Sequence, residues 1–336
     1  MKKVFKAMQA ATHGQEQEFA AKYAATRSTA PTFRVVYVDW LAEGISRNLD
    51  PFRSETAKTY KSQIETHVLP VLGDLPIDVV GNKAVNQVVQ AMVKAGKSPA
   101  TIALNVGLIK DIRGFLRGEN GPIYPVQWDS KAIDAPAVNK RLQKTPKANA
   151  QTLTAALKCT AGVSDHTQAL LALLAGSGLR IQEALAITTQ DTGRNTVWLP
   201  DESKIIVRQQ RDGIVLGPVK TEAGNREVDL SDKLNNWLQF AMAPVNDING
   251  LVFPESESFY RREIEKCGVK GGFHSIRRFR VTHIRMNGVP EPLVKFWIGH
   301  EDPSVTGRYT EVLSEIVARK AQANQVGLGF ELPEAL

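Results

Sequence analysis

The sequence is short of the residues that build cross-links, membrane spans and metal centres. Only two cysteines occur, Cys159 and Cys267, far apart and without CxxC spacing. That excludes a disulfide framework and a cysteine-rich zinc site, and it fits a reducing cytoplasmic setting. No apolar run approaches the ~20 residues that a membrane-spanning helix needs, so no membrane partner is predicted. The N-terminus, Met1-Lys2-Lys3-Val4-Phe5, is basic, but Lys6, Gln9 and His13 interrupt any signal-peptide core. A glycine-rich Walker loop for nucleotide phosphates is missing. So is the compact Asp/Glu cluster of a two-metal nuclease. The sequence therefore predicts neither a cofactor nor a metal.

What is present is cationic. The 336 residues carry a formal net charge of +7, with a pI of about 9.3. A basic chain of this length favours a polyanionic partner and is long enough for two domains. The charge is uneven: Arg261 to Arg285 holds eight Lys or Arg against two acids.

Residues 1–30 form a polar, alanine-rich extension with one candidate helix, Gln15 to Ala25, and a frayed tail as the alternative. Residues 31–117 predict a small bundle of about four helices. Thr32 is placed to cap a helix carrying Phe33, Val36, Tyr37, Trp40 and Leu41. Ser54 caps the next, with Tyr60, Ile64 and Val68 on one face, and Pro70 ends it. Asn82 opens a third, and Ser98-Pro99 a fourth that runs through Ile102, Val106, Ile109, Ile112 and Phe115. Arg53, Lys58, Lys61, Lys97 and Lys110 are candidates for phosphate contacts, which position a duplex without reading it.

Residues 118–147, with Gly121-Pro122, Pro125, Pro136 and Pro146, read as a connector. Its Lys140, Arg141 and Lys144 either track a nucleic-acid backbone or are simply solvated. A second domain is predicted over 148–322. Apolar helical segments flank Gly176-Ser177-Gly178-Leu179-Arg180, and Glu183 follows one turn later. Four segments between Thr196 and Leu230 have strand composition, with Lys220 to Arg226 linking the last two. Helices are predicted over Ser231 to Phe240, Phe259 to Lys266 and Glu311 to Gln322, before a tail at 323–336. The fold class is mainly α with a small antiparallel β-sheet.

The densest chemistry lies between His274 and Tyr309. His274 and Arg277 share a helix face by their spacing. A planar guanidinium suits bidentate binding of phosphate oxygens, and an imidazole can donate to the same phosphate or move a proton. Arg277, Arg278, Arg280 and Arg285 follow without an acid before Gly288-Val289-Pro290 breaks the run. Gly299 sits where a helix C-cap glycine belongs, His300 follows, and a short helix opening at Asp302-Pro303-Ser304 carries Tyr309.

His274-Ser275-Ile276-Arg277, Gly288-Val289-Pro290, Ile298-Gly299-His300 and Arg308-Tyr309-Thr310, in this order, resemble the signature of the tyrosine recombinase (phage integrase) family. The resemblance extends to Gly178-Leu179-Arg180 with Glu183 and to the run from Lys220 to Leu230. Less specifically, it extends to His67–Pro76 and Ser98–Thr101 of the helical region. It implies a helical-bundle DNA-binding domain followed by a mixed α/β catalytic domain, the two forming a clamp on the duplex. It also implies that Tyr309 is the nucleophile and that Arg180, Arg277, His274 and His300 act on the phosphate. Lys220 is then the general acid, with Lys204 as the fallback. Glu183 supports the site, and Arg278 adds a DNA contact.

The reaction implied is site-specific strand cleavage and rejoining through a 3′-phosphotyrosyl intermediate, integrating or excising a mobile element. The implied partners are double-stranded DNA bearing a recombination site, three further protomers in a homotetramer, and DNA-bending accessory proteins. The implied location is the cytoplasm, with the nucleoid. The C-terminal tail is expected to dock on a neighbouring protomer. Two other readings stay open here: type IB topoisomerase-like relaxation, and a DNA-binding regulator without catalysis.

Overall fold

The computed structural model describes residues 29–49, 51–138, 148–159, 162–219, 221–242, 250–300 and 315–334. The chain divides into two compact units, Met1–Gln143 and Lys144–Leu336.

The described part of the first unit is helical. Helices α1 (Phe33–Ser46), α2 (Ser54–Gln63), α3 (Leu69–Leu72), α4 (Asn82–Lys94) and α5 (Pro99–Arg113) enclose one apolar core. Helix α4 shows why. Val85, Val88, Val89 and Met92 recur at helical spacing and are all buried, each worth roughly 1.5–3 kcal/mol of transfer free energy. Ser98 caps α5 as its sequence predicts, its hydroxyl accepting from Thr101 N at 3.2 Å.

The other caps differ. Thr32 stands at the N-cap of α1 without a side-chain bond, and Ser54 is already inside α2, behind Arg53. Pro70 does not end the helix. A π-helical turn over Ile64–Val68 widens the ladder, with Leu69 N bonding Ile64 O, and α3 resumes across the proline.

The connector opens on a short antiparallel pair, β1 (Arg117–Gly118) and β2 (Gly121–Pro122), and it is also not free over its described part. Ile133 is buried in the first unit's core, with Tyr124 and Trp128 packed against it. Buried Arg113 donates to the carbonyls of Val80, at 3.1 Å, and Tyr124. Aromatic side chains within a proline-rich stretch gain more by covering the bundle than by facing water.

The second unit is built around α7 (Asp165–Ser177), which is apolar nearly all round and buried from Ala169 to Ser177. Helices α6 (Ala150–Leu157), α9 (Asp232–Ala241), α10 (Glu257–Lys266) and α11 (Gly272–Met286) pack on it. Short α8 (Ile181–Ala184) follows it, and α12 (Glu291–Ile298) packs on α11.

A four-stranded sheet runs in the order β3 (Ile187–Thr188), β4 (Thr196–Leu199), β5 (Lys204–Val207), β8 (Arg226–Asp229). The first pair is parallel and the others antiparallel, with Val207 opposite Arg226. Between β5 and β8 the chain makes a hairpin of β6 (Gln209–Asp212) and β7 (Val215–Pro218).

The C-terminal segment, expected to dock on a neighbouring protomer, is packed against this unit over its described residues. Helix α13 (Ile316–Val326) is followed by Leu328 and Phe330, both buried in the unit's own core. Arg280 donates to Gly327 O at 2.6 Å, and Trp237 Nε1 to Pro333 O at 3.1 Å. Apolar side chains at the end of the chain are satisfied in the same molecule. No described helix is long and apolar enough to cross a membrane.

Candidate active site

Two left-handed glycines set the site. Gly178 ends α7 with φ +75°, turning the chain so that Arg180 becomes the N-cap residue of α8. Gly299 ends α12 with φ +68°, its amide bonding Lys295 O at 2.8 Å. Both conformations suit glycine because a Cβ is disfavoured there. The carbonyls at these two helix ends are where the arginines converge. Arg277, one turn into α11, donates from Nη1 to Gly178 O at 2.8 Å and from Nη2 to Ile298 O at 2.6 Å. Arg180 donates from Nη2 to Gly299 O at 3.3 Å.

Glu183 organises Arg180. Its Oε2 accepts from Arg180 N at 2.9 Å, and its Oε1 from Arg180 Nη1 at 2.7 Å. The same carboxylate pairs with Arg226, and both side chains are almost wholly enclosed. Burial alone would raise the Glu183 pKa. The Arg226 and Arg180 contacts outweigh it and hold the group below the usual carboxylate range. Arg277 is pushed down to about 9 by burial and by Arg180. It stays cationic at neutral pH.

Arg180, His274 and Arg277 line one cavity of about 340 Å³, closed by Gly272, Glu257 and Arg261. His274 is exposed at its mouth, whereas Ser275 and Ile276 beside it are buried. Ser275 Oγ bonds Lys270 O and Gly272 O, at 3.0 and 2.8 Å, which locks the first turn of α11. His300 is exposed just past Gly299. Burial and the surrounding arginines lower both imidazole pKa values: Arg278, Arg277 and Arg180 act on His274, and Arg277 and Arg180 foremost on His300. Both histidines are thus neutral at pH 7. Arg180, Arg277, His274 and His300 therefore meet in space, supported by one buried acid. The arrangement offers fixed N–H donors and two neutral imidazoles to an anion.

Lys220 and Tyr309 lie outside the described residues, as do Lys140, Arg141 and Lys144. Lys204 is held in the sheet by Glu202 at 2.7 Å and Glu227 at 3.4 Å and is almost buried, so those two acids already engage its ammonium. Arg53, Lys58, Lys61 and Lys97 are exposed, and Lys58 pairs with Glu55 at 2.6 Å. Lys110 lies over the Trp128 ring, 5.3 Å from its centroid. Arg278 is half-buried on α11.

Sequence reasoning left Arg226 without a role. The signal was its place two and four residues before Val228 and Leu230, on a strand whose alternate positions face the core. On either side of Tyr309 in the sequence, Trp297 and Arg319 are tied to β8. Trp297 Nε1 donates to Asp229 at 2.7 Å, and Arg319 of α13 pairs with Glu227 and with Asp229, the latter at 3.1 Å.

The sequence profile of the phage integrase family matches residues 143–315, so the chain belongs to that family and is a tyrosine-type site-specific recombinase. The fold agrees with solved structures. The integrase of transposon Tn1549, in complex with a circular intermediate DNA, is similar with a TM-score of 0.60 at 16% identity, over 81% of this chain and 92% of that one. A lambda integrase dimer bound to a COC′ core site gives 0.58 at 14% identity, over 90% and 99%. A lambda integrase tetramer bound to a Holliday junction gives 0.56 at 14%, over 83% and 77%. A comparison with curated proteins finds no match.

Proposed function

We propose that this chain cleaves and rejoins DNA strands through a covalent 3′-phosphotyrosyl intermediate at Tyr309, and so integrates or excises a mobile element. The observation that carries the reading is that Arg180, Arg277 and His274 line one cavity over the buried Glu183, with His300, just past Gly299, in the field of the same two arginines.

The tyrosine oxygen attacks the scissile phosphorus, and the bond from phosphorus to the 5′-oxygen breaks. His274 takes the tyrosine proton, and Lys220 protonates the leaving 5′-oxygen. Tyrosine's unperturbed pKa is about 10, so a neutral imidazole and nearby cations favour its ionisation. Arg180 and Arg277 hold the nonbridging oxygens as charge builds on them, each such donor being worth about 3–4 kcal/mol of transition-state stabilisation. His300 bonds the same phosphate. A 5′-hydroxyl from a partner strand then attacks the phosphotyrosyl link, so no nucleotide is consumed. Exchange of four strands calls for a homotetramer on DNA, the assembly named for the lambda integrase on its junction. Arg53, Lys58, Lys61, Lys97, Lys110 and Arg278, with the linker cations Lys140, Arg141 and Lys144, contact phosphates.

The test is a nicked suicide duplex, selected from a random pool by binding, incubated with the wild type and with Tyr309→Phe in EDTA. A denaturation-resistant adduct with the wild type alone is expected. No adduct on a bound duplex would leave a DNA-binding module. Relaxation of supercoiled plasmid without joining of two sites would point to topoisomerase-like action.

A further inference from the structure

The most enclosed cation at the site has no part in the chemistry above. Arg226 has a side chain only 1% exposed, and Glu183 faces it at 2%. Two parallel bonds join them, Nη1 to Oε1 at 3.1 Å and Nη2 to Oε2 at 2.9 Å. This fork-to-fork geometry fixes the plane of the carboxylate as well as its place. The rest of the guanidinium bonds backbone: Nε to Trp297 O at 2.8 Å, and Nη1 to Gly224 O at 3.0 Å. One side chain thus ties together three segments: the start of α8, the end of α12, and the turn that follows Lys220 in the sequence.

We infer that Arg226 is a positioning residue that sets the Arg180 guanidinium for the phosphate, acting through Glu183 from one side and the Gly299 turn from the other. The inference rests on the recombinase reading. The first route is direct: the carboxylate that Arg226 grips also receives Arg180 through both N and Nη1. The second is steric. A Cβ on Gly299 would lie 2.8 Å from Arg226 Nη1 and 3.1 Å from Ala223 O, so the Gly299 backbone rests against Arg226. Gly299 O is in turn a partner of Arg180. A buried ion pair is no gain in stability over well-packed apolar side chains. What the pair adds is orientation. Three arginines, Arg180, Arg226 and Arg277, surround one acid, and Arg226 holds that acid turned toward Arg180. Lysine in its place would keep the charge and lose the fork.

The experiment measures single-turnover strand cleavage at saturating duplex, using the selected suicide DNA and the same DNA with a methylphosphonate at the scissile position. The methyl group removes the negative charge that Arg180 holds. On the phosphate, Arg226→Lys is expected to slow cleavage about 100-fold, with duplex affinity within about twofold of the wild type. On the methylphosphonate, its deficit relative to the wild type is expected to shrink below about threefold. Equal slowing on both duplexes would make Arg226 purely structural and overturn the inference. Wild-type rates on both would overturn it as well. If circular dichroism shows Arg226→Lys unfolded, Glu183→Gln, of the same shape without the charge, is read against the same two outcomes. A wild-type protein that cleaves neither bound duplex would sink the recombinase reading and this inference together.

Discussion

Among the described residues, the helical unit buries Asn105 and Arg113 as its polar side chains, while the second unit buries Glu183, Arg226, Asp229, Arg277, Arg280 and Arg319 among others. The first core is what hydrophobic transfer alone would build: Phe33, Ile64, Leu72, Ile109 and Ile112 are fully enclosed, and the half-buried rings of Phe52 and Tyr60 pack against this core beside Trp40. The second has an equally apolar centre around α7, with a layer of ions laid on one edge of it. Buried charge is costly unless paired and hydrogen-bonded. Here the pairing leaves more cation than anion beside the cavity, an environment suited to a phosphate. One unit is built for stability, and the other gives up some of it for a preorganised site.

Denaturant unfolding, with hydrogen exchange assigning each loss to its unit, is the strongest way to break this contrast. Glu183→Ala leaves Arg226 buried without its acid and is expected to destabilise the second unit by about 3–5 kcal/mol. Ile109→Ala removes only apolar volume from the first core and is expected to cost about 2–5 kcal/mol there. A Glu183→Ala protein with an unchanged midpoint would mean that the ion layer contributes nothing to folding.

The pH dependence sharpens the contrast further. The folded pKa values of His274 and His300 lie below their unfolded value of about 6.5. Their contribution to stability is therefore present above that value and lost as pH falls through the folded ones. On the proposed mechanism neutral His274 accepts the tyrosine proton, so the acid limb of the second-order cleavage rate should lie below pH 6.5. A limb at or above 6.5 would remove His274 as the base. The smallest effect is expected in the first unit. Lys61→Ala should reduce the salt slope of duplex binding by about 1 and leave unfolding within about 0.5 kcal/mol. An unchanged slope would take Lys61 out of the interface.

The described part of the candidate site was legible because its pieces are local. His274 and Arg277 lie one turn apart, Arg180 and Glu183 lie one turn apart, and Gly299 must close a helix whatever surrounds it. The bundle was legible too, because Val85, Val88, Val89 and Met92 repeat at the period of a helix. Pro70 misled because a π-turn let the helix absorb it. The packing of the C-terminal segment was not legible, because Leu328 and Phe330 carry no sign of which surface will bury them. The connector hid its packing for the same reason: Tyr124, Trp128 and Ile133 are too widely spaced for periodicity to reveal a face.

By itself, the sequence determined most of the helices, the basic composition and the local pairs His274 with Arg277 and Arg180 with Glu183, since each follows from the spacing of neighbours along the chain. Only the tertiary structure decided which charges face the site and which are sealed behind it. Lys204 is pinned by Glu202 and Glu227, while Arg226 crosses from β8 to bind Glu183, forty-three residues earlier, and Trp297, seventy-one residues later. The orientation of a guanidinium depends on carbonyls and carboxylates delivered by distant segments, and no local pattern encodes where those will meet.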